Sequence, residues 1–291
     1  MADAMEILEQ VSVMAPLGMR FRDAATNAMV DDGLSVVAYP SDNPARRTTA
    51  FTNRKGVFVF RDLPGLRAAE NSAGDSMFWA SLAKKKSFLI EVKDGLRRFQ
   101  SFLLNIDLPV KGLYRWELDV SSSPPAPEAP VPLFSASSRR APAGMAVVRA
   151  DLWNPHTDEP AAWALVEASV SGKVLGRCFA DEKGRILLIF AYPEPKETSS
   201  TSPISSPVSG HRKSLVDQSW PLDLQAFYTP IKPVPEIPDL AEVFRQAPAH
   251  LWSSLSPAIE LGQQNLEFGK ELILKSVSES LLWITPEPSP I

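Results

Sequence analysis

The chain of 291 residues writes one short hairpin twice. Phe51-Thr52-Asn53-Arg54-Lys55-Gly56, followed by Val57-Phe58-Val59-Phe60, is matched by Phe179-Ala180-Asp181-Glu182-Lys183-Gly184, followed by Arg185-Ile186-Leu187-Leu188-Ile189-Phe190. In each copy an Asn or Asp starts the turn and a glycine supplies the positive φ that closes it. A proline after each apolar run, Pro64 and Pro193, stops the strand. Gly18-Met19 and Gly144-Met145 open similar stretches, and the distance from opening glycine to turn glycine is 38 residues in one copy and 40 in the other. An internal repeat at this spacing predicts two related modules.

The rest of the pattern is β-like. Residues 19–22, 34–39, 48–52, 57–60, 88–92 and 99–106 are short runs, alternating or rich in β-branched and aromatic residues, with turn formers between them. The 27 prolines against 14 glycines favour short elements with stiff connections. The predicted fold is mainly β: two Ig-like antiparallel β-sandwich modules with a short helical segment near the C-terminus. Residues 1–120 form the first module and 121–143 a Pro/Ser-rich linker containing Ser-Ser-Ser-Pro-Pro. Residues 144–235 form the second module, with a Ser/Pro-rich loop over 194–213. Neither polar stretch can bury enough apolar surface to offset the entropy of ordering it.

Residues 236–291 hold a helical segment and final strands or a tail. Leu240, Val243 and Phe244, then Leu251, Trp252 and Leu255, recur at helix-like intervals, which predicts short helices over 239–246 and 248–255 with Asp239 as N-cap. Residues 270–277 and 281–285 read as a final strand pair around Ser278-Glu279-Ser280 or as a helix continuing from Ala258, and the proline that stops Leu281-Leu282-Trp283-Ile284 favours strands.

The run from Thr52 through Asn53, Gly56, Val57-Phe58-Val59-Phe60 and Asp62-Leu63-Pro64 resembles the hairpin of carboxypeptidase-regulatory-like, transthyretin-like β-sandwich modules. That resemblance covers about a third of each module; it implies a fold and is nearly silent on function. A second resemblance spans the first module. Asp62-Leu63-Pro64-Gly65-Leu66, Phe78-Trp79-Ala80, Phe88 to Asp94, Arg98-Phe99 and Leu108 to Tyr114 are similar to accessory β-sandwich proteins of phage-tail-like contractile injection systems. It implies an assembly component, and none of its matched positions is a catalytic motif.

The residues themselves point away from catalysis. His156, His211 and His250 lie far apart and off metal-ligand spacing, so no metal is expected. No Gly-x-Ser-x-Gly elbow and no glycine-rich phosphate loop occurs, so no cofactor is expected. Cys178, the single cysteine, beside Phe179, reads as a buried core thiol. The adjacent carboxylates Asp31-Asp32 and Asp158-Glu159 read as solvated turns, equivalent in the two modules.

Charge is nearly balanced, 30 Lys and Arg against 34 Asp and Glu, so no field draws in nucleic acid. No run is long and apolar enough for membrane insertion, and the first ten residues lack a signal-like pattern, so the expected setting is the cytoplasm. The expected partners are other protein subunits, with the oligomeric state left open. Lys84-Lys85-Lys86 beside the 88–92 strand form a positive edge that blocks strand pairing or meets an acidic partner. Phe78, Trp79, Trp252 and Trp283 are the candidate docking anchors, while Trp153 and Trp163 read as core. The reading is a non-catalytic structural or docking subunit of a large assembly. The competing one is a carbohydrate- or ligand-binding sandwich, or an adaptor delivering cargo, with a Trp-lined face carried by Trp79 or Trp283.

Overall fold

The structure, a computed structural model, describes residues 14–70, 85–117, 129–194, 218–233 and 236–287. The chain divides into two compact units. The first holds the chain up to Arg22 together with Met29–Gly95 and Ser101–Pro132, and the second holds Asp23–Ala28, Leu96–Gln100 and Leu133–Ile291. The fold is mainly β, with β-sandwich modules and one short helix near the C-terminus.

In the first unit the strands are β1 (Leu17–Met19), β2 (Phe21–Asp23), β3 (Met29–Val30), β4 (Leu34–Pro40), β5 (Thr48–Thr49), β6 (Phe51–Thr52) and β7 (Phe58–Phe60). A single helical turn, α1 (Arg67–Glu70), precedes β8 (Lys86–Asp94) and β9 (Phe102–Leu108). One sheet runs β5-β4-β8-β9 and a second β1-β7-β6, while β2 lies between β3 and β10 (Val131–Leu133). Thus a strand forms inside the stretch read from sequence as linker. Alternation decides what is buried: Phe58 and Phe60 of β7, and Phe88, Ile90 and Val92 of β8, are all within 2% of full burial. Phe58 meets Phe21 edge to face, with centroids 5.1 Å apart.

The second unit is built on β11 (Met145–Asn154), β12 (Glu159–Pro160), β13 (Leu165–Val170), β14 (Lys173–Phe179), β15 (Arg185–Ala191) and β16 (Ser219–Phe227). After the helix α2 (Leu240–Phe244) come β17 (Pro248–Leu255), β18 (Ala258–Glu260), β19 (Gln264–Glu267), β20 (Leu272–Ile273) and β21 (Leu282–Pro286). Seven of these strands line up as β12-β11-β21-β17-β16-β13-β14. The ten-residue β11 serves two sheets: Met145 to Asp151 pair with β15, and Leu152 to Asn154 turn toward β12 and β21. Val148, Ala150, Leu152, Ile186, Leu188, Phe190, Trp220, Leu222, Leu266, Leu282 and Ile284 fill the core between them. Cys178 is buried among them, and desolvation pushes its thiol well above the ordinary range.

The repeated hairpin is the same object in both units. Asn53 Oδ1 accepts from the Lys55 and Val57 amides at 2.9 and 3.0 Å, and Asp181 Oδ1 accepts from Lys183 and Arg185 at 2.9 Å each. Gly56 and Gly184 close the turns at φ 70° and 74°. At Gly184 a Cβ would also stand 2.3 Å from the Leu152 carbonyl oxygen, so this glycine is required twice over.

The opening glycines do not correspond. Met19 is opposite Phe58, whereas the residue opposite the equivalent Ile186 is Ala150. The true counterpart of the Asp23 turn is Asn154: each Oδ1 accepts from the amide two residues on, at 2.9 and 3.0 Å. Asp31 follows β3 while Asp158 precedes β12, so those carboxylate pairs are not equivalent either.

The C-terminal region departs from the predicted helices. Asp239 does cap a helix, accepting from the Ala241 amide at 2.8 Å, but the helix ends at Phe244. Pro248–Leu255 is a strand. Only Leu251 of its helix-like triplet enters the core, while Trp252 stays half exposed and Leu255 is exposed, and the segment pairs with β16, β18 and β21. β20 and β21 are strands, but they pair with β11 in parallel rather than with each other, and β21 also pairs antiparallel with β17.

Candidate functional site

The sheet face opposite the second unit's core carries a row of three tryptophans. Leu152, Leu251 and Ile284 or Leu282 face inward, so Trp153, Trp252 and Trp283 face outward, each half buried. Trp153 is the register partner of Trp283, and Trp283 is the register partner of Trp252. Residues in register on neighbouring strands share a face, and two strand spacings put the outer pair about 10 Å apart along the sheet.

Two of the indoles are fixed by their own N–H groups. Trp252 Nε1 donates to Thr285 Oγ1 at 2.8 Å, and Trp153 Nε1 donates to Asp158 Oδ1 at 3.1 Å. Asp158 takes a left-handed φ of 54° in the turn that brings it there. Beside Trp252, its ring 5.6 Å away, lies His250, whose imidazole contacts the Glu260 carboxylate and lies 3.9 Å from that of Glu287. Glu260 is the direct cross-strand partner of Trp252. The face is therefore aromatic and edged by the exposed carboxylates of Asp158, Glu260 and Glu287. Segments 152–160, 248–260 and 282–287 contain no lysine or arginine.

No protein-family model matches this chain, and no curated protein sequence matches it. Among solved structures it is similar to a point mutant of the shaft pilin SpaA from Lactobacillus rhamnosus GG, at 9% identity and a TM-score of 0.22, covering 94% of this chain and 98% of that one. A likeness at that score carries no argument about fold or function.

The remaining sequence-predicted residues are placed as follows. Trp252 and Trp283 come together in the row. Lys85 and Lys86 are exposed, and Lys86 lines a groove of about 530 Å³ in the first unit with Ser41, Arg46, Gly65 and Ser87. Phe78, Trp79 and Lys84 lie outside the described residues, as does His211. Trp163 is core, at 7% exposure, with its carbonyl accepting from Gln246 Nε2 at 2.7 Å. Trp153 is not core. The alternation of Val148, Ala150 and Leu152 with Arg149, Asp151 and Trp153 carried the signal, because it puts Trp153 on the polar side of the strand.

Other polar clusters serve the scaffold. Arg149 pairs with Glu271, and Arg185 with Asp181, around a cleft of about 260 Å³. No group of three His, Cys, Asp or Glu among the described residues could hold a metal ion. No helix among them is long and apolar enough to cross a membrane.

Proposed function

We propose that this chain is a non-catalytic docking subunit of a larger cytoplasmic protein assembly and that its contact face is the tryptophan row of the second unit. The observation that carries the reading is the registration of Trp153, Trp283 and Trp252 on three adjacent strands. Tryptophan is the residue most enriched among interface anchors, and rings already held by hydrogen bonds lose little freedom on binding. The assembly suggested by the resemblance of the first module is a phage-tail-like contractile injection particle. In it, stiff sandwiches would set a spacing and the indole face would fix the partner.

A second reading, a carbohydrate-binding sandwich, draws on the same row, because a flat aromatic strip with polar edges also suits a sugar ring.

The test is affinity purification of the tagged protein from its native cytoplasm, with mass spectrometry and electron microscopy of the eluate, for the wild type and for Trp283→Ala. Co-purification of sheath, tube or baseplate subunits with the wild type, lost in the variant, is the expected result. Elution alone from both, with glycan binding that depends on Trp283, would replace the docking reading with the carbohydrate one.

A further inference from the structure

Resting on that docking reading, we infer that the tryptophan row takes the guanidinium and ammonium groups of a basic segment in the partner protein. Three observations narrow the chemistry. The Nε1 protons of Trp153 and Trp252 are spent on Asp158 and Thr285, so what these rings offer is the electron-rich π face and edge rather than a donor. Carboxylates stand along the row at Asp158, Glu260 and Glu287, the last two with side chains 58% and 49% exposed, where they can reach a second charge without being dehydrated in the free protein.

The third observation is the missing counter-charge. None of the three segments that build the face carries Lys or Arg. Arg149 and Arg185, farther along the sheet, are engaged by Glu271 and Asp181. The His250 imidazole on this face already lies against Glu260 and Glu287. A cation over an indole and beside a carboxylate is attracted by both, and arginine, planar and weakly hydrated, can stack and pair at once. An acidic partner would meet uncompensated repulsion here.

The probe is a synthetic peptide in which arginine alternates with serine, compared with its citrulline counterpart, titrated into the full-length protein by calorimetry and tryptophan fluorescence. The arginine peptide is expected to bind and the neutral, isosteric citrulline peptide not to. Trp283→Ala is expected to weaken binding about tenfold, the size of a partly desolvated cation–π contact. The double change Glu260→Gln and Glu287→Gln, confined to exposed side chains, tests the charge contribution in a protein that keeps its packing, and weaker binding that falls less steeply with added salt is expected, since Asp158 remains.

Equal affinity for the two peptides, or arginine-peptide binding that neither variant changes, overturns the inference. So does Trp283-dependent binding of a soluble oligosaccharide with none of the arginine peptide. If the arginine peptide fails to bind while Trp283→Ala still strips a co-purifying subunit, this inference falls and the docking reading stands. If both fail, both are wrong.

Discussion

Asp23 grips Arg139 through both its oxygens, Nη1 to Oδ1 at 3.0 Å and Nη2 to Oδ2 at 2.6 Å, with the two side chains only 5% and 10% exposed. Arg139 also stacks over the Phe99 ring at 4.8 Å. Burial alone would raise the Asp23 pKa. Hydrogen bonds from Arg139, the Thr26 hydroxyl and the Ala25 amide, together with the Arg139 charge, outweigh it and hold the carboxyl below its usual range. Because the folded pKa is depressed, the stabilisation is complete above the unfolded value of about 4 and is lost as the pH falls through the folded one. Asp23→Asn keeps the turn but strands a buried guanidinium, and about 3 kcal/mol of stability is expected to go. Urea midpoints of wild type and variant measured from neutral to acid pH check this: the gap is expected to close toward the acid end.

What was legible at this scale depended on whether one residue's neighbours were enough to place it. Trp163 and Cys178 sit in apolar surroundings that the sequence displays. Trp153, between Leu152 and Asn154, is given away by the period of its strand. The partner of Asp23 lies 116 residues away, and no local pattern encodes so distant a pairing.

At the scale of elements, the two hairpins offer an internal control. Asn53 is exposed and its carbonyl oxygen holds two amides. Asp181 is 3% exposed, holds the matching pair, and adds the Arg185 guanidinium and the Ser137 hydroxyl on Oδ2. Replacing Asn53 with Ala is expected to cost about 1 kcal/mol, since water can take over its amides. Asp181→Ala is expected to cost about 3 kcal/mol, since a buried carboxylate that holds two amides, a hydroxyl and a guanidinium is lost. Chemical denaturation of the two variants side by side measures the difference, and equal losses would show that burial of the turn is irrelevant.

The hairpins were readable because a turn is written in four consecutive residues. The 248–255 strand was not, because a handful of apolar residues fits either period, and only neighbours β16, β18 and β21 choose between them. The parallel pairing of β20 and β21 with β11 is likewise fixed by a strand more than a hundred residues upstream.

For the molecule as a whole, two compact units bring two cores, and unfolding is expected to be more than one cooperative event. Phe190 is 1% exposed in the second unit's core and Phe88 fully buried in the first unit. Truncating either to alanine is expected to cost about 3 to 5 kcal/mol. Scanning calorimetry is expected to show Phe190→Ala lowering one transition and Phe88→Ala the other. A single transition that both lower equally would mean that the two cores melt together.

The membership of the second unit has a practical side. Its residues come from three separate stretches, so the order in which the ribosome emits the chain differs from the order in which space is shared out. A gene fragment started at Gly144 would encode every strand of the tryptophan face. It would nonetheless be born without Phe134, which packs on Phe179 and Phe244, without Arg139 and the aspartate that answers it, and without Phe99. No single cut of the polypeptide releases this unit whole. Dissection of the protein must follow side chains rather than the linker, and a tag placed at 23–28 would land on the second unit although it lies near the start of the chain.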